Sequence, residues 1–291
     1  DIGEVFKGNT EITSFDELQY FTGLTKIGKE AFREATSLTS VVLPQSVKSI
    51  QSGWSFYGCS SLENVVLPDY LSMIDSYTFT NTAIKSIKLP EKGSVVLGYN
   101  VFTNTPLTNL FIPANLIGTI YQEVVSKCYD LISISVEEGN PWYDSREGCN
   151  AIIKTSTNTL IAGCKNTVIP ESVKALGDKA FFYTMVKKLE LPAGMTGMGA
   201  TSLFHCDSLT SVVAHMPEPF TISIANIQGL PNNCVLTVPY GKRQAYIDAG
   251  WTESIFKGGV VEDKSQYDVN RDNTISIADV TKLVNVILGK P

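Results

Sequence analysis

The stretch Leu38-Thr-Ser-Val-Val-Leu-Pro44 decides the fold, because its pattern returns along the chain. Close copies are Leu62–Pro68 (LENVVLP), Ile84–Pro90 (IKSIKLP), Leu107–Pro113 (LTNLFIP) and Val186–Pro192 (VKKLELP). Weaker copies are Leu131–Glu137 (LISISVE) and Leu209–His215 (LTSVVAH), with the endings Thr167–Pro170 and Leu236–Pro239. The last positions fall at 44, 68, 90, 113, 137, 170, 192, 215 and 239, so the steps are 24, 22, 23, 24, 33, 22, 23 and 24 residues. One and three residues before the end, nearly every residue is apolar, and those between them vary. A period of two is a strand with one buried face. One such unit cannot bury its face alone, so copies must stack, with successive strands parallel and about 4.8 Å apart. The closing proline cannot donate to the ladder and ends each strand.

Two further columns run in phase. Phe32, Phe56, Phe79, Phe102, Phe181 and Phe204 stand 11 or 12 residues before an end position, and Ile27, Ile50, Ile74, Val96, Leu176 and Met198 stand five or six before those. Both columns are expected in the core.

One step is about ten residues too long, and the segment Cys149–Cys164 lies inside it. It reads as a hairpin turning at Thr155–Asn158, an insertion near residues 140–165. Pairing Lys154 with Thr159 and Ile153 with Leu160, carried outward, sets Cys149 opposite Cys164. Directly opposed Cβ atoms are about 4.5–5.5 Å apart, close to disulfide reach. The alternatives are a disulfide or two neighbouring reduced thiols. Cys59, Cys128 and Cys206 precede apolar repeat positions and read as small buried residues. The ends need caps. Ser14-Phe-Asp-Glu17 has the spacing of a capping box opening a helix through Phe21. Gly241–Ala249 reads as a short helix stopped by Gly250, with Trp251, Ile255 and Phe256 closing the last turn.

The elements Ile27-x-x-x-Ala-Phe32 and Leu38-x-x-Val-x-Leu-Pro44 resemble the BspA-like leucine-rich-repeat family, over roughly residues 20–240. The resemblance implies an α/β leucine-rich-repeat solenoid, strand-rich, with a parallel sheet on one face and short helices. It also implies a secreted or surface protein of the kind found in anaerobic bacteria, acting in adhesion or recognition of protein or glycan ligands. The chain opens at Asp1 without a methionine, as expected of a processed chain whose targeting segment is left out.

After Glu262 the character changes, so the solenoid is expected over 1–262 and a separate segment over 263–291. Asp268, Asn270, Asp272, Thr274, Ser276 and Asp279 occupy positions 1, 3, 5, 7, 9 and 12 of a twelve-residue loop. Oxygen donors at that spacing wrap a hard cation such as calcium, with Thr274 offering its backbone carbonyl. Ile277, Val280, Leu283, Val284, Ile287 and Leu288 then share one helical face. This EF-hand-like loop and helix resembles one half of a type I dockerin. That implies a cohesin-like partner and, as an alternative function, membership of a dockerin-tethered extracellular assembly that processes polysaccharide.

No enzyme is expected. His205 and His215 are the only histidines, and no His-x-x-x-His, Cys-x-x-Cys or Gly-x-Ser-x-Gly is present. Trp54 and Trp142 read as packing. The net charge of −6 and the lack of a basic stripe argue against nucleic-acid binding. No apolar run is long enough to span a bilayer. A solenoid instead offers surface. Its outward column, two residues before each end, reads Val42, Val66, Lys88, Phe111, Ser135, Val168, Glu190, Val213 and Thr237. Val42, Val66, Lys88 and Phe111 are the candidate ligand-binding residues, because an exposed apolar stripe on one face marks a contact surface.

Overall fold

A computed structural model describes residues 1–288 apart from 52, 117, 122, 266, 270, 272 and 273. The chain winds into a β-solenoid of about ten turns. The repeat endings form a strand face in three pieces. Ser14–Phe15, Ser40–Val42 and Asn64–Val66 make the first, Asn109–Ile112 and Ser133–Val136 the second, and Lys188–Leu191, Ser211–Ala214, Val235–Pro239 and Val260–Asp263 the third. All of these pairs are parallel, with registers such as Val41↔Val65 and Leu110↔Ile134. Val41, Leu43, Leu110, Ile112, Leu189 and Leu191 point inward and are buried, as their period of two requires.

The breaks follow the step lengths. Every 24-residue step between described strands pairs, as at Val42↔Val66, Phe111↔Ser135 and Thr237↔Val261. Segments 84–90 and 166–170, which bound the two 22-residue steps, form no strand. Two residues fewer shorten a coil by about 7 Å of extended chain, enough to hold its ending out of register with a neighbour.

The N-terminal cap differs from the expected capping box. Ser14 and Phe15 pair with Ser40 and Val41, and the helix is one 3-10 segment, Asp16–Tyr20, with no side-chain cap bond. An open strand edge offers Ser14 a backbone partner, which outcompetes the local cap. At the other end the expectation holds. Helix α1, Arg243–Asp248, buries Tyr246, and Trp251, Ile255 and Phe256 are buried beyond it. One strand was not anticipated: Val260–Asp263 extends the face by pairing Leu236↔Val260 through Pro239↔Asp263. The last turn therefore reaches Asp263.

A second ladder of two-residue strands runs along another side, through Lys26–Ile27, Ser49–Ile50, Met73–Ile74 and Val96–Leu97. Its register Ile74↔Leu97 buries Leu97 and leaves Val96 half-exposed, one residue from the expected position. Phe32, Phe56, Phe79, Phe102 and Phe181 are buried as expected. Phe204 is not. Leu203 pairs with Ile227 and both are buried, so Phe204 turns outward onto Phe182, 5.0 Å between centroids. Met198 is also only half-buried.

The hairpin forms at the expected place, with Ala151–Lys154 antiparallel to Thr159–Gly163 and Tyr143–Asp144 added outside it. It is a septum between two cores. Ile152, Ala162 and Cys164 pack into the N-terminal core, whereas Ala151, Ile153 and Leu160 pack into the C-terminal one. The disulfide is not formed: Cys149 and Cys164 are both free thiols. Lys154↔Thr159 and Ile153↔Leu160 pair as read, but the register then shifts to Ile152↔Ala162 and Ala151↔Gly163. That bulge at Ile161 sets Asn150, not Cys149, level with Cys164, and the Cys164 thiol donates to the Asn150 carbonyl at 3.3 Å. Cys149 lies in the other core, directed at the Ala151 carbonyl 3.7 Å away.

Candidate ligand-binding face and its clefts

The outward column stands where its spacing placed it. Val66 is 51% exposed, Phe111 44% and Val168 70%, while Val42 is half-buried. The four candidates do not make one unbroken stripe, because the sheet breaks between Val66 and Phe111. Each break instead opens a cleft.

The first cleft, about 500 Å³, lies over segment 84–90 and is lined by Val66, Lys88, Asp69 and Lys92 among others. Lys92 donates to Asp69 at 2.6 Å and holds that carboxyl below its usual range. Lys88 pairs with Glu91 at 3.1 Å. The second, about 770 Å³, lies over segment 166–170, with Val168 on its floor beside Lys165, Lys187, Glu171 and Glu190. Glu190 sits between Lys188 at 2.6 Å and His215 at 3.5 Å, and the hydrogen bond from Lys188 is the main reason its pKa is lowered. The hairpin supplies the far wall. Arg146 reaches Asp144, Asn158 and Ser172, and so pins the short turn Arg146–Gly148 that carries Glu147 into the cleft. Phe111 stands between the clefts on a paired strand. Apolar side chains flanked by charges of both signs suit a folded or extended polypeptide better than a reacting small molecule.

A model of the BspA type leucine rich repeat region matches in six copies over residues 4–141 and 153–225, most of the chain. The chain belongs to the BspA-type leucine-rich-repeat family. The gap between the matched stretches, 142–152, falls in the first part of the insertion. The fold is similar to a leucine-rich repeat protein of Eubacterium ventriosum, at 18% identity and a TM-score of 0.57, over 83% of this chain and 70% of that one. It is similar also to a leucine rich cell surface protein of Faecalibacterium prausnitzii, at 17% identity and a TM-score of 0.54, over 90% and 85%. No curated protein matches the sequence.

Other groups in this BspA-type protein carry little chemistry. Cys149 lines the second cleft, but it is buried and its thiol is pushed up to about 11, so it is no nucleophile at neutral pH. His205 faces Asp207 and His215 faces Glu190, in separate places. Among the described residues no three His, Cys, Asp or Glu side chains gather as a metal site, and no helix is long and apolar enough to cross a membrane. Trp54 is packed between Tyr57 and Tyr77, at 4.8 and 4.9 Å, with Arg33 over its ring at 5.0 Å.

In the terminal segment, Asn270 and Asp272 lie outside the described residues. Asp268 and Asp279 are buried, whereas Thr274 and Ser276 are exposed. Asp279 accepts the Ser276 N–H at 2.8 Å and completes the capping box of helix α2, Ile277–Ile287. That helix leaves Ile277, Val280, Leu283, Val284 and Ile287 exposed.

Glu147, Lys165, Lys187 and His215 were not picked out as site residues by sequence reasoning. The usable signal was step length: the 33-residue step and the two 22-residue steps mark where the face opens.

Proposed function

We propose that this protein is a non-catalytic binding scaffold of the bacterial surface or extracellular space, taking a protein ligand on its strand face. The observation that carries the reading is the pair of clefts opening on one face at the two sheet breaks, with exposed Phe111 between them. A leucine rich cell surface protein among the structural relatives supports the location. The test is capture of host and bacterial surface proteins by the full chain, followed by affinity measurement on each captured ligand. Phe111→Asp should weaken binding by about tenfold or more, as loss of a central aromatic contact does. Unchanged affinity in that variant rejects the face.

A second reading is favoured by helix α2, whose exposed apolar side resembles a dockerin contact. In it the protein joins a polysaccharide-processing assembly through a cohesin-like partner. Two buried carboxylates, Asp268 and Asp279, among described residues of the segment that are mostly exposed, fit a cation loop. Asp268, Asn270, Asp272, the Thr274 carbonyl, Ser276 and Asp279 would hold calcium, which would supply charge neutralisation and order to the loop. Calcium titration of the full chain by calorimetry should give heat that Asp268→Ala abolishes. Absence of heat in the unaltered protein removes this reading.

A further inference from the structure

The insertion disturbs the second ladder as well as the strand face. Leu97 bridges to Ile120, but the next rung is not a backbone pair. The Tyr143 hydroxyl takes its place, accepting the Ile120 N–H at 2.9 Å and lying 3.4 Å from the Gly118 carbonyl. A pocket of about 240 Å³ opens at this substituted rung, lined by Tyr99, Tyr121, Thr119, Tyr143, Lys154 and Asp178 among others. It shares no residue with either cleft of the strand face.

Its chemistry differs from theirs. Tyr99 and Tyr121 are 46% and 36% exposed, and their rings lie 4.3 Å apart at 35°, so the pair forms a tilted aromatic wall. Thr119, Tyr143, Lys154 and Asp178 complete the lining, so residues carrying hydroxyl, ammonium and carboxylate groups border the aromatic wall. Asp178 is held in place, since its Oδ1 accepts the Ala200 N–H at 2.8 Å. Gly199 is needed there too: a Cβ would overlap the Asp178 backbone. A small concave site with an aromatic wall and fixed polar groups of both kinds matches one ligand chemistry well. A pyranose ring has an apolar C–H face for the aromatic wall and a rim of hydroxyls that both donate and accept. Phosphate would find one ammonium and a repelling carboxylate, and an apolar ligand would make no hydrogen bond to either.

We propose that the Tyr99–Tyr121 pocket binds a single neutral pyranose residue, at a site separate from the strand face. The wall stacks on the sugar's C–H face, and Asp178 and Lys154 grip adjacent hydroxyls.

The probes are methyl glucoside, methyl galactoside, methyl mannoside and N-acetylglucosamine, with cyclohexanol as an apolar control. Saturation-transfer NMR on the full chain should show transfer to at least one sugar and little to cyclohexanol. Tyr121→Ala should weaken that sugar by about tenfold or more, the loss expected of a stacking aromatic, with an unchanged melting temperature. Asp178→Asn should also weaken it while keeping the Ala200 contact. Phe111→Asp, on the strand face, should leave sugar binding intact. Transfer to no sugar, equal transfer to cyclohexanol, or full binding by Tyr121→Ala overturns the proposal. None of these outcomes bears on the strand face, whose failure is read by Phe111→Asp and protein capture.

Discussion

The two cores on either side of the hairpin fill the same solenoid in different ways. In the N-terminal core, Phe6, Phe32, Phe56, Phe79 and Phe102 stack face to face, with successive centroids 5.0, 5.0, 5.6 and 5.9 Å apart. In the C-terminal core the column runs Phe181, Leu203, Ile227, and the aromatic stack has moved outside to Phe182 and Phe204. The rings return only at the cap, where Trp251 and Phe256 lie nearly parallel at 6.2 Å. A continuous stack needs every turn in the same phase. The stack ends one turn before the hairpin, where the Phe102 N–H donates to the Val124 carbonyl and Val124 and Val125 follow in the core. Beyond the hairpin Phe181 is followed by Leu203 and Ile227, which fill the centre without demanding ring alignment.

The largest expected difference is in stability. Phe79→Ala should cost about 3–5 kcal/mol, the range for a large ring removed from a packed core. Phe204→Ala should cost about 1 kcal/mol, as a half-exposed ring does. Urea midpoints of the two variants measure this, and equal losses would break the distinction between inner and outer stacks.

The thiols test whether both cores stay closed. Burial pushes Cys59 and Cys206 up to about 12 and Cys128, Cys149 and Cys234 up to about 11. At pH 8 their alkylation in the folded protein should be about a hundredfold slower than in urea, since only thiolate reacts. Cys149 and Cys164 reacting first would show the septum opening on its own.

The join between the cores can be stressed directly. Gly163 leaves room for the Phe181 ring, which a Cβ would overlap. Gly163→Ala should cost about 1–3 kcal/mol by overpacking. Gly197→Ala is the control, with nothing near the added atom. A melting temperature lowered equally in both would mean that the septum is loosely packed.

The smallest effect concerns the second cleft. The Lys188 hydrogen bond lowers the folded pKa of Glu190, so its stabilisation is present above the usual carboxylate range and is lost as pH falls through the folded value. The pair is more than half exposed, so Glu190→Gln should cost less than about 1 kcal/mol near neutral pH and nothing in acid. A larger loss, or one that persists in acid, would give the cleft a stabilising role it lacks here.

Much of this was legible in the sequence. The strand endings, the hairpin turn and the outward positions of Val66 and Phe111 all follow from spacing. Tyr143 was not singled out, because a side-chain hydroxyl replacing a backbone rung leaves no periodic trace. Leu203 and Leu97 were misplaced by one residue because their neighbours, Phe204 and Val96, satisfy the same loose pattern.

Taken alone, the sequence determined the repeat, the parallel stacking and the inward and outward sides. A period of two and a step near 23 residues permit only that arrangement once the apolar face must be buried. The tertiary structure alone decided what lines the clefts that the uneven steps open, which thiols face each other and which aromatic rings stay inside. Those depend on register, and a single bulge at Ile161 or a step shorter by two residues changes register without changing the apolar pattern.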